Sequence, residues 1–157
     1  MNRLARILDT QYAHAWSLMD EIVNRFPVEA WRSASPAYFA PSRLTYHTIE
    51  TVDYYCRDDL AAFRWGHRFG VDWDTASSEE LPEQEAIRDY QRDVHSAASL
   101  WIHHLGDDGL LAPDAVFSEE GMTHLDRALY ALRHTHQHLG ELSSELRRRD
   151  LPRPPWR

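Results

Sequence analysis

Apolar residues recur at helical spacing along most of the chain. Leu4, Ile7, Leu8, Ala15, Leu18, Met19, Ile22, Val23 and Phe26 lay one stripe along a helix over residues 3–26, and Pro27 stops it. After the stretch Ser33-Ala34-Ser35-Pro36, Pro41 suits the first turn of a second helix, where its missing N–H needs no partner. Thr45, Ile49, Val52, Cys56, Leu60 and Phe63 form its buried stripe and carry it to about Arg64. The period fails between Trp65 and Leu81, where Gly66, Gly70, Ser77 and Ser78 predict a long crossover loop. A third helix begins at Pro82, with Ile87, Tyr90, Val94, Ala97, Ala98, Trp101 and Leu105 on one face and Gly106 placed to end it in a left-handed cap. Ser118 is the expected N-cap of a fourth helix that reaches about Arg149. Leu125, Leu132, Leu139 and Leu146 recur along it every seven residues.

Four amphipathic helices with no strand-like alternation predict an all-α protein, a four-helix bundle with the long crossover between helices two and three, in one domain over residues 1–157. That length buries a core without disulfides or structural metal, so a metal here would serve chemistry more than folding. The tail from Leu151 to Arg157 holds three prolines, cannot be helical and is expected to lie along the bundle.

Charge and cysteine content narrow the function classes. A net charge of −8 argues against a nucleic-acid partner, which needs clustered cations on one face. The one dense basic run, Arg147-Arg148-Arg149, complements the negative end of helix four. The chain has 17 arginines and no lysine, which reads as codon bias. No apolar run approaches the ~20 residues of a membrane span, the N-terminus lacks a signal-peptide apolar core, and the single Cys56 excludes an internal disulfide, so a cytoplasmic location is expected.

Ten histidines remain, and three have a pattern. In a helix residues advance about 100° each, so His134 and His138 share a face with Cβ atoms about 5–6 Å apart, while His136 points away. Two nitrogens rarely hold an ion, and His47, at the flank of the second helix's apolar stripe, is the candidate third ligand. Cys56 lies about 180° around that helix from His47 and is expected to be core filler. No Glu-x-x-His pair of a di-iron bundle, phosphate loop or nucleophile elbow occurs. Gly140 costs about 1 kcal/mol inside a helix, which the close approach of a neighbouring backbone would offset.

A histidine early in helix two (Tyr46-His47-Thr48-Ile49-Glu50), followed by His134-x-x-x-His138-x-Gly140 in helix four, resembles the DinB/YfiT superfamily over nearly the whole chain. The resemblance implies a four-helix bundle, often a homodimer, holding zinc or nickel with His47, His134 and His138. It also implies a small-molecule substrate and either a metal-dependent hydrolase or a transferase using a low-molecular-weight thiol. Many relatives carry Gln where this chain has Glu141.

Three neutral imidazoles leave a divalent ion an open position, the arrangement of catalytic zinc, from which a water or a thiol is activated. Glu50 and Glu141, one turn from ligands, are the expected catalytic carboxylates, orienting imidazoles or accepting a proton. Arg43 and Arg127 are the expected contacts to an anionic substrate group, and Phe63 to Phe69 would wall the cleft or cap the bundle. Metal binding should fade as pH falls through about 6.5, where free imidazole protonates. The alternative is a non-catalytic bundle that binds or dimerises, with a vestigial or regulatory metal.

Overall fold

The computed structural model describes residues 2–116 and 121–155. Four α-helices carry it: α1 Arg3–Val23, α2 Pro41–Tyr55, α3 Gln84–Leu110 and α4 His124–Arg148. Short 3-10 turns at Val28–Ala30 and Ala37–Phe39 break the α1–α2 connection. An isolated bridge between Pro113 and Thr123 is the sole β-type pairing among the described residues.

Side-chain ties between helix ends fix the topology. Asp107, late in α3, accepts the backbone N–H groups of Arg3 and Ala5, and Gln84 at the start of α3 donates to the carbonyls of Val23 and Phe26. α1 and α3 are therefore antiparallel neighbours. Tyr12 reaches the Ala128 carbonyl at 2.6 Å, and the end of α4 sends Arg149 to Ala30 and Ser33, so α1 and α4 run parallel. Ser42 bonds the Pro82 carbonyl and Asp53 meets the Tyr90 hydroxyl, so α2 and α3 also run parallel. Parallel neighbours cannot be joined by a tight turn. Residues 56–83 accordingly return along the length of α2, pinned by Glu50 to Gly66, Tyr46 to Val71, Arg43 to Trp73, Asp74 and Ala76, and Ser42 and Trp31 to Pro82.

The core is one cluster drawn from all four helices. Trp16, Tyr12, Met19 and Ile22 of α1, Leu44, Ile49 and Val52 of α2, Ile87 and Ile102 of α3, and Leu139, Leu142 and Leu146 of α4 are almost wholly buried. Each such side chain stabilises the fold by about 1.5–3 kcal/mol through the apolar area it removes from water.

Several boundaries differ from the sequence expectation. α1 ends at Val23, and residues to Phe26 form tight turns before Pro27. α2 ends at Tyr55 and not near Arg64, because Cys56 leaves the helical region. Leu60 is still buried, but from the crossover. α3 starts at Gln84 and continues past Gly106, where a positive φ of 61° interrupts but does not end it. The Asn2 side chain lies 3.1 Å from where a Cβ on Gly106 would stand, and the next residue caps α1 through Asp107. Thr123, not Ser118, caps α4, in a reciprocal capping box with Asp126. Ser118 lies outside the described residues.

The tail from Leu151 to Pro155 is non-helical, and its Arg153, Pro154 and Pro155 face α1 and α4 across a cavity of about 1010 Å³. Of the basic run, Arg148 and Arg149 both pair with Glu145. No described helix is long and apolar enough to cross a membrane.

Candidate metal centre

Helix geometry brings two imidazoles together and packing brings the third. His134 and His138 stand one turn apart on the face of α4 that meets α2, with ring centroids 4.4 Å apart. α2 is buried on most sides, including Leu44, Thr45, Thr48, Ile49 and Val52, which fixes its rotation and sends His47 toward α4. The His47 ring centroid is 4.8 Å from both other rings.

The Nε2 atoms converge. His47 to His134 is 3.1 Å and His134 to His138 is 3.1 Å, and ligand atoms of all three lie within 4.8 Å of one another. Two nitrogens each about 2.0–2.1 Å from a tetrahedral zinc stand about 3.3 Å apart, close to the two 3.1 Å separations that His134 makes with His47 and His138. His136 bonds the Leu132 carbonyl through Nδ1 and is exposed, as its helical position requires.

Hydrogen bonding agrees with the distances. His138 Nδ1 lies 2.7 Å from the Glu141 carboxylate, which holds the proton on Nδ1 and leaves the Nε2 lone pair aimed at the cluster. His134 Nε2 faces two rings at once yet carries at most one proton, so a single N–H cannot point squarely at both neighbours. A cation satisfies that arrangement and the residues fit one. Burial, then the neighbouring imidazoles, lower the His47 pKa to about 3, and burial with His138 lowers that of His134 to about 4. Both rings are therefore neutral well below the pH near 6.5 at which the sequence alone predicts proton competition.

The remaining candidates divide. Glu141 touches His138, as expected. Glu50 instead turns to the crossover: it is fully buried, accepts the Gly66 N–H at 2.6 Å and faces the Tyr46 hydroxyl at 3.5 Å. Burial outweighs those bonds and raises its pKa to about 7. Arg43 was expected at an anionic substrate group, but its guanidinium is bonded to crossover carbonyls. Arg127 is 1% exposed, paired with Asp114 at 2.7 Å and set over the Trp101 ring. Both arginines are committed internally.

Cys56 is core filler, its thiol near Tyr12 and pushed up to about 12 by burial. Phe63, Trp65 and His67 pack with Tyr54 and Tyr90 at the end of α2, and Phe69 meets Tyr46 and Tyr90. This is the cap reading of that stretch. Gly140 meets no approaching backbone, because nothing described lies within 4 Å of a Cβ placed there. It opens instead onto the cavity beside the tail and onto a hollow of about 450 Å³ next to Phe39 and Glu141.

Sequence reasoning missed Trp73 and Tyr38. Trp73 lies against the His47 ring with centroids 3.9 Å apart, and Tyr38 is pushed above its ordinary pKa by partial burial, then by Glu141 and Asp74. Trp73 sits in the irregular crossover and Tyr38 in a three-residue 3-10 turn too short for a period to report direction. Comparison of the chain with protein-family models, with curated proteins and with solved structures finds no match.

Proposed function

We propose that this chain is a metal-dependent enzyme of the DinB/YfiT-like type, holding one divalent ion, zinc or nickel, on His47, His134 and His138. The observation that carries the reading is the convergence of three Nε2 atoms at 3.1 Å steps in a half-buried cleft between α2 and α4, with one ring already backed by a carboxylate. The support is internal to the chain, through the cluster and the helix order, and not from any relative.

A bound ion would supply Lewis acidity toward a water or a low-molecular-weight thiol, for hydrolysis or thiol transfer on a small-molecule substrate. The chain's own residues do the rest. Three neutral rings leave the ion its full charge and an open side. Glu141 keeps the His138 proton on Nδ1 and is, at 28% side-chain exposure, open enough to exchange a proton with solvent or substrate. The buried thiol of Cys56 takes no part in this chemistry.

The test has two readings on one sample. Purified protein loaded with zinc or nickel should retain about one ion per chain, and X-ray absorption should report imidazole nitrogen in the first shell. Calorimetry then separates the two chemistries: a thiol that binds the metal-loaded protein more tightly than the apo form indicates transfer, because the metal favours thiolate near neutral pH. Equal thiol affinity in both forms leaves hydrolysis or a non-catalytic binding module, and failure to retain any divalent ion removes the enzyme reading.

A further inference from the structure

The three imidazoles are oriented by different means. His138 is held by a carboxylate on Nδ1. His47 has no such partner, because its Nδ1 is buried without a hydrogen bond. Metal-ligating histidines usually donate that N–H to a carboxylate, a carbonyl or water, which fixes the ring plane. The His47 ring is instead covered by Trp73, at a centroid distance of 3.9 Å and a tilt of 37°.

Trp73 orients the ring only if Trp73 is itself fixed, and it belongs to the irregular crossover. Arg43, one turn before His47 on α2, supplies the anchor. Its guanidinium donates to the carbonyl of Trp73, to that of Asp74 at 2.9 Å and to that of Ala76 at 2.5 Å. Arg43 is 6% exposed and, among the described residues, has no carboxylate partner, whereas the similarly buried Arg127 is paired with Asp114. Burying a cation without a counter-ion is costly, so a tie made only for stability is better served by a neutral group or a paired one. The arginine fork spans three carbonyls at once and holds the crossover at Trp73, the ring that meets His47.

We infer that Arg43 and Trp73 form a latch that orients His47 for the metal, Arg43 acting as a positioning residue through the Trp73 ring. The inference rests on the three-histidine reading given above. It makes docking of the crossover and completion of the third ligand one event. His134 also has a buried Nδ1 without a hydrogen bond, but it stands one turn from the carboxylate-held His138 on the same helix and has no contact with Trp73 among those described, so the latch concerns the α2 side of the site alone.

Four variants of the full chain test it: Trp73→Ala, Trp73→Phe, Arg43→Met and Arg43→Lys. Zinc affinity and the rate of zinc release to a chelator are read beside the thermal midpoint of each apo protein. Trp73→Ala and Arg43→Met should weaken zinc binding about tenfold, the lower end of the effect of losing an orienting partner, and should release it faster. Trp73→Phe, which keeps an aromatic face, should retain most of the affinity, and the apo midpoint of Trp73→Ala, lowered by loss of a half-buried ring packed against the core, shows that the protein still folds at the temperature where its zinc affinity is read. Should Arg43→Met not fold, the two Trp73 variants decide the matter. Wild-type zinc affinity in Trp73→Ala, or an equal loss in Trp73→Phe, overturns the latch. Wild-type affinity in a His134→Ala control is a different failure, that of the three-histidine reading itself.

Discussion

At the scale of single residues, identity and spacing said which imidazoles would meet, and environment decided everything around them. His134 and His138 were legible because a helix repeats with a known angle, and His47 because it flanks an apolar stripe. Glu50 and Glu141 looked alike in sequence, each three residues from one of these histidines, yet one contacts its histidine and the other is buried against Gly66. That difference depends on the crossover folding over one face of α2, which no local pattern encodes. It has a measurable consequence. With its folded pKa raised to about 7 from an ordinary value of 4.5, Glu50 holds its proton in the folded state longer than in the unfolded one. Its contribution is therefore fully present below the unfolded pKa and is lost as pH rises through about 7, with Asp72 and Asp53 adding to the effect. Glu50→Gln keeps an acceptor for Gly66 and removes the charge. Denaturant unfolding should find this variant near the parent at acid pH and more stable by about 2 kcal/mol at about pH 8. A pH-independent difference would mean that Glu50 is ionised without penalty.

At the scale of elements, all four helices were readable, and their ends much less so. Apolar residues at Leu60 and Phe63 prolonged the helical period of α2 by accident, since Leu60 is buried from a turn that follows Cys56. Gly106 carried the right signal, a positive φ, but the chain resumes its helix beyond it because Asp107 is needed at the start of α1. Caps compete in the same way. Thr123 and Asp126 exchange hydrogen bonds at the start of α4, the helix that carries two of the three histidines. Thr123→Ala removes the side-chain acceptor for the Asp126 N–H and should cost about 1 kcal/mol of stability in denaturant unfolding. The same change should leave zinc affinity intact, because His134 lies about three turns further along. A stability change close to zero would mean that this cap contributes nothing measurable.

At the scale of the molecule, the bundle was legible and its handling of direction was not. Nothing in the apolar pattern says that α2 and α3 run parallel. The long aperiodic stretch from Trp65 to Leu81 was the trace of it, since a parallel return must cover a helix length. That return brings Trp73 to His47 and Arg43 to the Trp73 carbonyl, so the connection is part of the site. The central claim is that α2 supplies one imidazole and α4 two to a single ion. Metal titration of His47→Ala, His134→Ala, His138→Ala and His136→Ala at one fixed pH tests it most directly. Each of the first three should lose tight binding of zinc or nickel, since two remaining rings are fewer than a stable site needs, and His136→Ala should bind as the parent does. Tight binding that survives in any of the first three, or that is lost with His136, would contradict the account.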